Sequence, residues 1–149
     1  MKAFTWPARV YWEDTDAGGI VYYASYLRFL ERARTEWLRS RGYSQRALAE
    51  EQGVLFAVVN VTVQYRRPAR LDDELQVSCS AKARGQVRLL FEQDVYRGVV
   101  TPGNLLVRAQ LQVACIDARS LRPRRLPGFL SDVLLREGAA AFAVNQERV

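Results

Sequence analysis

Apolar residues recur along this chain at two periods, and the switch between them divides it. From about Ser25 to Arg41, Tyr26, Phe29, Leu30, Ala33, Trp37 and Leu38 return at three- and four-residue intervals, with Arg28, Arg32, Arg34, Glu36 and Arg39 between them. That spacing predicts an amphipathic helix. Leu27 widens its apolar stripe, which suits a helix wrapped by a sheet better than one lying on a surface. Gly42 stands where a left-handed residue ends such a helix. A shorter helix is expected from Ser44 to Gln52. Ser44 serves as its N-cap, Ala47 replaces the Glu or Gln of a full capping box, and Gly53 ends it.

Elsewhere the period is two. Val59, Val61, Val63 and Tyr65 alternate with Asn60, Thr62, Gln64 and Arg66; Leu75, Val77, Cys79, Ala81 and Ala83 alternate with Gln76, Ser78, Ser80, Lys82 and Arg84. Both runs read as half-buried strands. Gly85 marks a hairpin into a strand running from Val87 to about Arg97. Thr101-Pro102-Gly103-Asn104 supplies a turn before a last long strand, Leu105 to Ile116. With Ala8 to Trp12 added, five mostly antiparallel strands surround one dominant helix placed between the first two, an α+β arrangement. A short helix is expected from about Pro127 to Glu137. The apolar tail Ala139 to Val144 would pack on a neighbouring subunit or fray. The 149 residues, 49% hydrophobic and without a polar or Pro/Gly-rich linker, predict one domain over the whole chain.

The candidate chemistry lies between the first strand and the long helix, in Tyr11-Trp12-Glu13-Asp14-Thr15-Asp16-Ala17-Gly18-Gly19-Ile20-Val21-Tyr22-Tyr23. A carboxylate just before a helix, beside glycines that let backbone N–H groups approach a ligand, can pair a base or nucleophile with a donor for an electrophile. The chain contains no histidine. Its own residues therefore cannot build Ser-His-Asp or Cys-His catalysis or a His-ligated zinc site. Aspartate is the candidate that remains, although Asp14 or Asp16 could equally cap the turn. A calcium loop fits poorly, because Gly18 and Ser25 fall where an oxygen ligand and a bidentate Glu are needed, so no metal is expected. Cys79 and Cys115 sit at inward-facing positions and read as buried thiols.

Charge adds less. The formal net charge of +6 comes almost wholly from arginine, since Lys2 and Lys82 are the only lysines. Such a surface favours anionic partners. Arg119, Arg122, Arg124 and Arg125 gather around Pro123 without interleaved aromatics, which reads as a solvated loop and not as a nucleic-acid surface. Arg9 and Glu13 interrupt any signal-peptide stretch, and no run of 18 apolar residues occurs, so the sequence predicts a cytoplasmic protein with no integral membrane segment.

Taken as motifs, Glu13 to Tyr22, Phe29-Leu30-Glu31-Arg32-Ala33-Arg34-Thr35-Glu36-Trp37-Leu38, Val61-Thr62-Val63-Gln64-Tyr65 and Pro68-Ala69-Arg70-Leu71-Asp72-Asp73-Glu74-Leu75 resemble the hotdog-fold acyl-CoA thioesterases of the YbgC type and the 4-hydroxybenzoyl-CoA thioesterases. The resemblance covers roughly residues 8 to 116. It implies a curved antiparallel sheet around a long helix, homodimers whose sheets join edge to edge, and tetramers of such dimers. By the same resemblance Asp16 is the catalytic aspartate, attacking the thioester carbonyl or activating water to do so. The backbone N–H of Tyr23 is then the donor that polarises the thioester oxygen. Gly18, Ile20, Val21, Tyr22 and Tyr26 become substrate-binding positions, with the tyrosines reading equally well as core. Arg66, Arg67, Lys82, Arg84 and Arg88 are candidates for the phosphates of coenzyme A, which is part of substrate and product and not a cofactor. Two positions depart from the YbgC pattern: Tyr23 replaces the histidine seven residues after the aspartate, and Trp12 replaces the tyrosine four before it. Tyrosine at the former position also occurs in 4-hydroxybenzoyl-CoA thioesterases, where the backbone amide matters more than the side chain. The alternative reading is an interaction module with weak or vestigial activity, associated with the Tol-Pal machinery at the inner membrane or binding acyl carrier protein. Short aliphatic and aromatic acyl groups both remain open.

Overall fold

The long helix forms where its periodicity predicts, at Tyr26–Ser40 (α1), and buries Tyr26, Phe29, Leu30, Ala33, Trp37 and Leu38 against a sheet. The computed structural model describes residues 3–147, with side chains through residue 137. A second helix follows at Gln45–Gln52 (α2). Its first turn is capped by Ser44 Oγ, which accepts the Ala47 N–H at 3.1 Å, and it ends on Gly53 at φ 65°. Both local signals work as expected, because capping and the left-handed stop depend on neighbours in sequence.

The sheet holds six strands: Thr5–Arg9 (β1), Val54–Tyr65 (β2), Glu74–Ser78 (β3), Ser80–Arg84 (β4), Arg88–Arg97 (β5) and Leu105–Asp117 (β6). All pairings are antiparallel and the order is β1-β3-β5-β6-β2, with β4 also paired to β5. Three expectations need correction. The run Leu75 to Ala83 is divided at Cys79, giving six strands and not five. At that point side chains replace ladder bonds: Ser78 Oγ accepts the Asp94 N–H at 2.9 Å, and Gln93 Nε2 donates to Ser78 O at 3.4 Å. The first strand lies at Thr5–Arg9 and not Ala8 to Trp12, because the chain leaves the sheet after Val10 and winds a 3₁₀ turn at Trp12–Asp14. Pro7 is tolerated there because β1 is an edge strand. The last helix runs over Gly128–Glu147 (α3), longer than its sequence signal. The side chains of the Ala139 to Val144 tail fall outside the described residues.

β2 lies at the other edge of the sheet. Its ladder with β6 is continuous except for a bulge at Val59, where the register passes from Val58 opposite Val113 to Asn60 opposite Gln112. Val58, Val59, Val61 and Tyr65 are exposed in the single chain. The period-two pattern of this strand is real, yet the chain does not itself cover the apolar positions it creates. Cys79 and Cys115 are buried, unpaired thiols, and burial raises both above the ordinary thiol value.

Candidate active site

The acidic turn is a small self-bonded loop docked on a neighbouring segment. The Asp16 N–H donates to Ile20 O at 2.9 Å and the Gly19 N–H to Asp16 O at 3.1 Å, with Gly19 at φ 76°. That φ favours glycine, since a Cβ clashes in the left-handed region. Val21 N–H donates to Ala69 O (2.9 Å) and Leu71 N–H to Gly19 O (3.2 Å), fixing the loop to residues 69–71. Asp73 holds that segment in turn, its Oδ2 accepting from Arg70 N–H at 2.8 Å and from Arg97 Nε at 2.9 Å.

The two acids of the turn have different surroundings. Asp14 is 2% exposed; its Oδ2 accepts the Tyr11 N–H at 2.9 Å and its backbone oxygen accepts the Tyr22 N–H at 2.9 Å. Arg28 closes over it, with Nη2 donating to Ser25 Oγ at 3.1 Å and reaching Asp14 Oδ1 at 3.5 Å. Asp16 is exposed, and its Oδ1 accepts only the Gly18 N–H, at 2.8 Å, as an Asx-type turn. This carboxylate is oriented on one side and open on the other. Asp14 is anchored on every side.

Tyr23 opens a 3₁₀ turn, Tyr23–Ser25, that leads directly into α1, and its backbone N–H has no acceptor among the described residues. Such an N–H at the head of a helix is one of the orphan donors that ligands can take. Tyr22 and Tyr23 are exposed with ring centroids 4.8 Å apart, and Trp12 nearby in sequence is 79% exposed. Ile20 is half-buried and bridges to Arg70. Val21 and Tyr26 belong to the core. The Tyr26 hydroxyl accepts the Ala69 N–H at 3.0 Å, its ring packs 5.5 Å from that of Tyr65, and burial raises its pKa above the ordinary phenol value. Tyr65 Oη donates to Tyr23 O at 2.8 Å, so the C-terminal end of β2 supports the head of the helix.

The five basic candidates divide between two places. Arg66 and Arg67 follow β2 beside this turn, with Arg67 donating to Gly103 O. Lys82, Arg84 and Arg88 sit at the β4–β5 hairpin. There Arg88 donates to Gln112 Oε1 at 3.1 Å, and Lys82 borders an open hollow of about 550 Å³ together with Gln86 and Arg125. In the ladder Arg88 lies in the row of Ala114 and Ala57, toward the opposite end of β2 from Tyr65.

Sequence reasoning missed two features. One is the Asp14–Ser25–Arg28 support. The other is Arg34, whose Nη1 donates to Oε1 of the buried Gln93 at 3.0 Å between α1 and the sheet. Gln93 had a visible signal: it shares the inward parity of Leu89, Phe91 and Val95.

Against this geometry, the family model described as the thioesterase-like superfamily matches residues 10–135. The chain is 48% identical over 124 residues to the acyl-CoA thioester hydrolase YbgC of Escherichia coli, covering 83% of this chain and 90% of that one. It is 43% identical over 126 residues to the acyl-CoA thioesterase YbgC of Haemophilus influenzae, covering 85% and 90%. The crystal structure of a probable thioesterase from Bartonella henselae superposes with a TM-score of 0.77 at 35% identity, covering 85% of this chain and all of that one.

Proposed function

We propose, from the premise that this chain belongs to the thioesterase-like superfamily and is an acyl-CoA thioesterase, that Asp16 supplies the base or nucleophile and the Tyr23 N–H the electrophile. The observation that carries this reading is the pairing of an exposed, one-sidedly anchored carboxylate with an unclaimed N–H at the head of the helix. In the general-base route Asp16 takes a proton from water as its oxygen bonds to the thioester carbon. In the nucleophilic route the carboxylate oxygen forms that bond, and water then hydrolyses the resulting anhydride. Either way the carbonyl oxygen becomes an oxyanion facing the Tyr23 N–H. The C–S bond then breaks, and coenzyme A departs as a thiolate that takes up a proton from solvent. One preorganised donor of this kind is worth roughly 3–4 kcal/mol in the transition state. The acyl group is short aliphatic or aromatic.

The working unit is a homodimer paired through β2, and two such dimers can associate into a tetramer. An uncovered edge of twelve residues carrying Val58, Val59, Val61 and Tyr65 supports this, since exposed edges of that kind are normally paired or blocked. A two-fold axis at right angles to the sheet makes the pairing antiparallel. It then sets the Tyr65 end of one β2, with its acidic turn, beside the Val54 end of the other. Lys82, Arg84 and Arg88 of the second copy are thereby brought toward the turn of the first, where Arg66 and Arg67 already stand, and these residues are the candidates for coenzyme A phosphates.

Thiol release from a panel of acyl-CoAs, acetyl to palmitoyl plus benzoyl and hydroxybenzoyl, tests the chemistry when the parent and Asp16→Asn are compared. Turnover by the parent that is lost in the variant is the expected result. Retained turnover overturns the role of Asp16. Sedimentation tests the pairing: Val61→Glu places a charge on the joined edge and should yield monomers, whereas an unchanged dimer rejects β2 as the interface.

A further inference from the structure

Toward the C-terminal half of α1, away from the acidic turn of the same chain, the helix and sheet enclose a cavity of about 160 Å³. Its walls include Trp37, Phe56, Phe91 and Val113, with Arg34 among them, and the exposed Glu31 and Gln45 border it. Two hydrogen-bond donors in this lining lack acceptors. The Trp37 indole N–H is buried and has no partner among the described residues. Arg34 uses a single N–H, on Gln93 Oε1, and no carboxylate lies within ion-pair distance of it among the described residues. Glu31, one turn earlier on α1, accepts the Thr35 hydroxyl at 3.2 Å instead.

Gln93 holds the guanidinium in place, because its own Nε2 is committed to Leu30 O at 3.0 Å and to Ser78 O. The Phe91 ring lies 6.0 Å from the Arg34 guanidinium carbon. Burial depresses the Arg34 pKa from its ordinary value, the mark of a cation removed from water without full compensation. Donors without acceptors, one of them cationic, favour an anionic oxygen in this space. The rest of the lining is apolar, and a cavity of about 150 Å³ accommodates benzene.

We propose that this cavity receives the far end of the acyl group held at Asp16 of the paired copy, and that Arg34 and Trp37 select acyl groups of about four to six carbons ending in a carboxylate. The proposal rests on the thioesterase reading and its β2 pairing, which brings the acidic turn of one copy to the Phe56 and Val58 end of the other. Arg34 and Trp37 are specificity residues; the bond-breaking steps stay with Asp16 and Tyr23.

The kinetic test compares kcat/KM for glutaryl-CoA, hexanoyl-CoA and benzoyl-CoA in the parent, Arg34→Met and Arg34→Lys. The parent should favour glutaryl-CoA by about tenfold or more, and Arg34→Met should lose that preference through KM while keeping hexanoyl turnover. Arg34→Lys, which keeps the charge, should retain part of it. Equal loss of glutaryl and hexanoyl turnover, or no preference in the parent, overturns the proposal. A binding readout independent of turnover uses benzoate and toluene. Toluene should raise the melting temperature of the parent and both variants, whereas benzoate should raise that of the parent but not of Arg34→Met. Equal benzoate effects on the two reject the anion site. Subunit mixing tests the shared site. Asp16→Asn and Arg34→Met, each poor on glutaryl-CoA, should together restore about a quarter of the parent sites when randomly paired. No restoration places the cavity and its aspartate in one copy and overturns the cross-copy arrangement. Retained turnover in Asp16→Asn alone fails the catalytic reading and leaves the benzoate test of the cavity standing.

Discussion

Asp14 and Asp16 stand two residues apart in one turn, yet the fold treats them as opposite kinds of acid. Asp14 is buried and bonded to the Tyr11 N–H, with Arg28 over it; Asp16 is exposed and takes one N–H, from Gly18. The difference arises from what each touches beyond its own turn. An acid whose oxygens are already satisfied holds a loop in shape. An acid satisfied on one side alone has lone pairs to offer a proton or an electrophile. The first makes the second useful, because the Asp14 backbone oxygen receives the Tyr22 N–H and so fixes the chain immediately before the Tyr23 donor.

The largest test of that division is Asp16→Asn. Loss of kcat on the order of 10³-fold, with an unchanged melting temperature, is expected of a group that acts as base or nucleophile. Asp14→Ala should do the reverse. Removing it leaves the buried Tyr11 N–H without its acceptor and Arg28 without its carboxylate, at a cost of about 2 kcal/mol in urea-denaturation stability. Asp14→Asn keeps an oxygen for Tyr11 and should cost less. If Asp14→Asn abolished turnover in a stable protein, the two roles would have to be exchanged.

In the sequence, the two acids look alike. Both precede a helix, both are favoured at turns, and the distinction depends on Tyr11 and Arg28, which reach Asp14 through tertiary placement. The same contrast of local and distant causes runs through the fold. α1 and α2 were legible because periodicity, the Ser44 cap and the Gly53 stop are written within a few residues. The break at Cys79 was not, since it depends on Ser78 and Gln93 meeting across strands 15 residues apart in sequence. The first strand was placed three residues late because the apolar run continues through Tyr11 and Trp12, which the fold leaves exposed. The alternation in β2 was plain, but the lack of cover for it within this chain is a property of strand order. Arg34 was read as one of the polar residues between apolar positions, and only its meeting with Gln93 shows that it points inward.

The two adjacent glycines allow a finer separation of turn shape from carboxylate position. Gly19 has φ 76° and open space where a Cβ would stand, so Gly19→Ala strains the backbone and touches nothing. Its expected effect is a stability loss of about 1–2 kcal/mol, read by urea denaturation. Gly18 is outside the left-handed region, but a Cβ there would lie 3.2 Å from Asp16 Oδ1. Gly18→Ala should therefore leave stability nearly unchanged and shift the carboxylate by a few tenths of an ångström, lowering kcat by roughly threefold to tenfold. If both substitutions lowered kcat only in proportion to lost stability, the position of Asp16 would matter no more than that of any loop residue. A kinetic deficit in Gly18→Ala without a matching loss of stability would instead show that the turn works by aiming this one side chain.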